Sequence, residues 1–104
     1  MCSLPDPELV AERRACFLAT GRSVLIHACT ALAELDMREQ VTSLHLPALI
    51  LAGSDDAATP PAMAEELAGL LPGAQFQLLS GLAHVPQLQD PDRFMTAIAG
   101  FLGC

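Results

Sequence analysis

Two short stretches bring together side chains able to hold and move a proton. The first is "GSDDAATPP", residues 53–61, with adjacent carboxylates at Asp55 and Asp56. The second is "SGLAH", residues 80–84, which ends in His84, one of three histidines in the chain. A histidine titrates near neutrality and can take and return a proton. A carboxylate beside it can fix its tautomer and stabilise its cation, which is two thirds of a nucleophile–base–orienter set. Each stretch also has a plain reading. Aspartate is common after a strand, Thr59-Pro60 is an ordinary helix start, and a loop histidine is most often a surface group.

The elements around them decide whether they can meet. "LPALILAG", residues 46–53, is a continuous apolar run entered by a proline and closed by a glycine. It reads as a strand buried on both faces of a parallel sheet. "AQFQLLSG", residues 74–81, alternates Phe76 and Leu78 with Gln75 and Gln77, which predicts a half-exposed strand. Between them, Thr59-Pro60 opens a helix over about 60–71 with Met63, Leu67, Leu70 and Leu71 on one side, stopped by Pro72-Gly73. After His84, Asp90-Pro91 caps a last helix with Phe94, Ile98, Phe101 and Leu102 on its apolar face. The order strand, helix, strand, helix predicts a parallel pair with a right-handed crossover. Open α/β sheets hold their chemistry at the carboxyl ends of the strands, so both loops would share one edge.

Upstream the chain reads as helical. Asp6-Pro7-Glu8 opens a helix to about Ala19, ended by Gly21. A second, from Ser23 to Leu35, is almost wholly apolar and is expected to be buried on most sides. Asp36 and Glu39 resemble the capping box of a short helix through Val41.

Composition narrows the function classes. The net charge of −7 with only five Lys and Arg excludes a phosphate-tracking surface, so nucleic acid is not an expected partner. Arg13, Arg14 and Arg22 read as a solvated helix face, although they could bind a substrate carboxylate. The cysteines at 2, 16, 29 and 104 form no CxxC pair, and His27, His45 and His84 share no ligand spacing. No metal or cofactor is expected. Met1-Cys2-Ser3 lacks the charged and apolar regions of a signal sequence, and no segment approaches a membrane span. The expectation is a cytoplasmic chain with reduced thiols. With 52% apolar residues and only two strands, the chain reads as the end of a larger sheet, and a homo-oligomer is expected.

"LPALILAGSDDAATPPAMAEELAGLLPGAQFQLLSGLAHVPQLQDPDRFMTAIAGFL" resembles the C-terminal part of an α/β-hydrolase, in particular the 3-oxoadipate enol-lactonase branch and its esterase relatives. In that family a strand ends in Gly-x-x-Asp-x-x-Thr-Pro, and the aspartate is the triad acid. Gly53, Asp56, Thr59 and Pro60 match it. The next strand leads to a small-residue loop ending in Ala-His, where the histidine is the triad base, and Ala83-His84 match. A "Gln/Glu-x-P-x-x-F" helix start follows in the family, which Asp90-Pro91-Asp92-Arg93-Phe94 fits loosely. The resemblance covers residues 44–102 and extends more weakly upstream, where Cys29 and Asp36 fit and Leu25-Ile26 stand near a missing Gly-Tyr pair. It implies an α/β fold: two parallel strands with flanking helices, preceded by cap-like helices. Residues 1–43 would be the end of the cap and the helix before the acid-bearing strand, and 44–104 the C-terminal βαβα segment. It further implies Asp56 as catalytic acid, His84 as general base, and a small ester or lactone as substrate.

The family's nucleophile is a serine in Gly-x-Ser-x-Gly on a strand-to-helix elbow. None of Ser3, Ser23, Ser43, Ser54 and Ser80 has those glycines followed by a helix, and no oxyanion-hole loop is present. Cys16 and Cys29, mid-helix, read as small hydrophobes. The expectation is therefore a truncated or split serine hydrolase with little activity by itself, its serine supplied elsewhere. The alternative is a non-catalytic, self-associating α/β module.

Overall fold

The computed structural model describes residues 6–104. They divide into two compact units, one ending at Met37 and the other running from Arg38 to Cys104. Cys2 and Ser3 lie outside the described residues.

The first unit holds α1 (Pro7–Thr20) and α2 (Arg22–Glu34). The Asp6 carboxylate accepts the Glu8 N–H at 2.9 Å, and Pro7 occupies the first turn, where no donor is needed. Gly21, at φ 84°, separates the helices, which bend by 92° there. The expected burial of α2 is not seen. Val24, Ile26 and Leu32 are exposed, and neither helix has a buried residue. An apolar run is buried only where something packs on it, and apart from half-buried Leu25 this helix is exposed. No single described helix is long and apolar enough to cross a membrane. The bent pair of α1 and α2 together meets the test by length and composition only.

The second unit holds α3 (Arg38–Val41), β1 (Ala48–Gly53), α4 (Pro61–Leu70), β2 (Ala74–Leu79), α5 (Pro86–Gln89) and α6 (Pro91–Leu102). The strands pair in parallel, from Ala48 opposite Ala74 to Gly53 opposite Leu79. They end flush, so the loops carrying the two candidate residues begin side by side. Leu79, Leu82 and Ala97 form the buried core, with Leu51 and Phe94 packed on it. Leu82 belongs to the His84 loop, so hydrophobic burial anchors that loop as well as the strand.

Three expectations need correction. β1 is half-buried rather than covered on both faces, and only Ala52 and Gly53 are fully buried. On α4, Met63 and Leu67 are exposed while Leu70 and Leu71 are partly covered. On α6, Phe94, Ile98 and Phe101 face the core side, but Leu102 lies in the capped last turn, 65% exposed before the left-handed Gly103. Beyond these, α5 is an element the sequence reading did not separate from the loop.

Candidate active site

The acid loop is built by hydrogen bonding around a buried carboxylate. Asp56 Oδ1 accepts the backbone N–H groups of Ala58 and Thr59, both at 3.0 Å. Its Oδ2 accepts the Thr59 hydroxyl, also at 3.0 Å. Asp and Asn close such turns because their side chains reach backbone donors two and three residues on. The Thr59 backbone N–H is the largest influence on the carboxyl. It outweighs burial, which acts the other way, and with His84, the Thr59 hydroxyl and the Ala58 N–H it lowers the pKa to about 2. Asp56 is therefore ionised throughout the physiological range.

The base loop arrives from β2. Gly81, at φ 77°, turns the chain after Ser80, and Leu82 plugs into the core. His84 Nδ1 then lies 3.0 Å from Asp56 Oδ2 and 3.2 Å from the Thr59 hydroxyl. An ionised carboxylate only accepts, so Nδ1 carries the proton and donates it. In the neutral ring Nε2 must then bear the lone pair. The His84 side chain is 58% exposed while that of Asp56 is 8% exposed, so the acid is shielded and the base is reachable.

Two further contacts bring the loops together. Gly53 has no Cβ, and an added one would collide with the carbonyl oxygens of Leu82 and Ala83. Its φ is not positive, so glycine is required here by close approach and not by backbone conformation. Ser54 Oγ accepts the Gly81 N–H and donates to Asp55 Oδ1, both at 2.8 Å. The backbone completes the seam: Ser54 N–H donates to Leu79 and Asp55 N–H to Leu82, at 3.0 and 2.9 Å.

The chemistry such a pair supports is proton transfer. The imidazole is held in one tautomer, with its basic nitrogen on the open side and an anion behind it. When Nε2 takes a proton, Asp56 stabilises the resulting cation.

A hydrolase from Pseudomonas aeruginosa PA01 superposes on 95% of this chain with a TM-score of 0.84 and 30% sequence identity, over 37% of its own length. An alpha/beta fold family hydrolase from Bacillus anthracis, at 23% identity and TM-score 0.62, shares the fold over 66% of this chain. The chain belongs to the α/β-hydrolases. Among curated relatives of this α/β-hydrolase chain, 3-oxoadipate enol-lactonase 1 from Acinetobacter baylyi is 33% identical over 76 residues, 73% of this chain and 28% of the lactonase. Polyketide synthase ThaQ from Burkholderia thailandensis is 32% identical over 92% of this chain, which is 5% of that protein. The chain thus spans under a third of the length of either relative. No protein-family model matches it.

The α/β-hydrolase chain separates the two adjacent aspartates that its sequence left side by side. Asp56 meets His84, whereas Asp55 is exposed and bonded to Ser54. Of the hydroxyls considered as nucleophiles, Ser54 serves the seam and Ser80 is exposed, with its carbonyl accepting Arg93 at 3.0 Å. Cys16 and Cys29 are free and exposed in the helical unit, and Arg13, Arg14 and Arg22 are exposed there too, Arg13 paired with Glu12 at 3.4 Å. His27, His45 and His84 form no metal-binding group among the described residues. Thr59 was legible as a helix start and as a position of the Gly-x-x-Asp-x-x-Thr-Pro pattern, with no role attached, yet its hydroxyl touches both members of the pair. Gln89 was passed over, although its Oε1 accepts the Ala83 N–H beside His84. Its place at the head of Gln89-Asp90-Pro91-Asp92-Arg93-Phe94, matching Gln/Glu-x-P-x-x-F, was the available signal.

Proposed function

We propose that this chain is the C-terminal segment of a serine-type α/β-hydrolase acting on esters or lactones, with Asp56 as the orienting acid and His84 as the general base. The single observation that carries the reading is the 3.0 Å bond from His84 Nδ1 to an ionised, shielded Asp56. His84 Nε2 would remove the proton of an attacking serine hydroxyl and return it to the leaving alkoxide. The likeness to an enol-lactonase supports a small ester or lactone as substrate. No Gly-x-Ser-x-Gly occurs in the 104 residues, so the serine belongs to a segment beyond these, and hydrolysis by them alone should be negligible. The proposal includes no metal, no cofactor and no nucleic acid, in a cytoplasmic setting in keeping with the free cysteines at 16, 29 and 104.

The test is hydrolysis of a chromogenic ester by this chain beside His84→Ala. Both should run at the buffer rate. Hydrolysis by the parent that His84→Ala abolishes would place a nucleophile within these residues, with Ser54, Ser80 and Cys29 as suspects, and would overturn the separate-serine part of the reading.

A second reading is favoured by the sheet. β1 and β2 pair only with each other among the described residues, and Leu44, Leu46 and Leu78 are exposed. Self-association of the chain as a binding module would cover such edges. Light scattering that finds a stable monomer at every concentration would remove it.

A further inference from the structure

We propose that Gln89 is a positioning residue for His84, acting through the Leu82–Ala83 peptide group. The inference rests on the acid–base reading of Asp56 and His84 and adds the residue that aims the base. The His84 ring is largely exposed, and its hydrogen bonds are all at Nδ1. Packing therefore does little to hold it, and its backbone must do so.

That backbone is gripped at both ends of a single peptide unit. The Leu82 carbonyl accepts the Asp55 N–H at 2.9 Å, and the Ala83 N–H donates to Gln89 Oε1 at 2.5 Å. The two bonds leave opposite edges of one planar peptide unit, so together they stop it from rotating about the chain direction. On the carbonyl side, Gly53 lies so close that no Cβ could intervene. On the amide side, Gln89 is held by α5, a single turn seated on buried Pro86 and closed by Gln89 N–H to Val85 at 3.2 Å and Asp90 N–H to Pro86 at 3.0 Å. The next residue after the clamped unit carries the imidazole. A shift of about 0.5 Å would take Nδ1 past hydrogen-bonding reach of Oδ2, which is how a missing latch would be felt.

Solution NMR of the chain, with Gln89→Ala, Gln89→Glu and Asp56→Asn, separates the possibilities. The parent should show a low-field His84 Nδ1 proton that Asp56→Asn removes. Gln89→Ala should speed exchange of the Ala83 amide about tenfold, the scale of one net hydrogen bond, and should broaden or erase the Nδ1 signal. The β1 and β2 ladder amides should keep the parent's protection. Gln89→Glu retains an acceptor and should restore both readouts. An unchanged Nδ1 signal in Gln89→Ala would overturn the positioning role and leave the acid–base reading intact. A parent with no Asp56-dependent Nδ1 signal would overturn the acid–base reading itself, and this inference with it. Should Gln89→Ala loosen the ladder as well, Gln89→Glu decides: recovery of the ladder without recovery of the Nδ1 signal also overturns it.

Discussion

Replacing Gly53 by alanine should pry the acid and base loops apart, and the size of the effect follows from one contact. The new methyl carbon would lie 2.6 Å from the Leu82 carbonyl carbon and closer still to the Leu82 and Ala83 oxygens. Carbon contacts are comfortable from about 3.5 Å, so the loops must separate by roughly 1 Å. The obstacle is backbone, which cannot rotate away as a side chain would. Overpacking of this kind costs about 1–3 kcal/mol, and the Asp55 N–H to Leu82 bond, lost on the same movement, adds about 1 kcal/mol. The expected destabilisation is about 2–4 kcal/mol, read as a lower midpoint in urea unfolding. The same movement takes His84 Nδ1 out of reach of Asp56, so the His84 and Thr59 resonances should shift with it. Gly53→Ala with an unchanged midpoint and unshifted Leu82–His84 amides would refute the argument that close approach, and not chance, put glycine there.

Gly81→Ala should behave differently: φ is 77° and nothing lies within 4 Å, so the penalty is conformational strain alone, about 1 kcal/mol, with the Asp56–His84 pair left intact. Stability should also depend on acid through Asp56. Its folded pKa lies below the unfolded value of 3.8, so the stabilisation is fully present above about pH 5 and disappears as pH falls from 4 towards 2. Unfolding curves across that window should show the loss in the parent and a reduced loss in Asp56→Asn, and equal slopes would contradict it. Thr59→Val removes the hydroxyl donor but keeps the stronger backbone one, so the Asp56 pKa should rise from about 2 while remaining below 3.8, as followed by carboxyl NMR titration. A pKa that does not move would mean the hydroxyl is not a donor in solution.

The parallel pair was legible because its signals are local and strong. A proline-entered apolar run, a glycine stop and an alternating second run fix two strands, and the helix between them fixes their direction. The meeting of Asp56 with His84 followed from that topology, since parallel strands bring their following loops to one edge. What composition could not supply was coverage. The apolar sequence of α2 says nothing about whether a neighbour lies over it, and the same holds for Met63, Leu67 and Leu102. Choosing Asp56 over Asp55 required the family spacing, because adjacent carboxylates on a turn look alike until one of them finds backbone donors. Gln89 escaped because a single-turn helix has no periodicity to detect, and its one signal, the head of Gln/Glu-x-P-x-x-F, does not say which backbone amide the side chain meets. Thr59 shows the same limit: a helix-start threonine reads identically whether its hydroxyl meets solvent or the Asp56–His84 pair.

On the proposed reading, His84 and Asp56 work as base and acid once a serine is present. The most direct measurement grafts residues 44–102 onto the Gly-x-Ser-x-Gly-bearing part of an esterase of this fold and follows ester hydrolysis beside His84→Ala and Asp56→Asn. The parent graft should turn over ester above the buffer rate, and either variant should lower that rate about a thousandfold or more. A folded graft whose rate is the same with alanine at position 84 would contradict it.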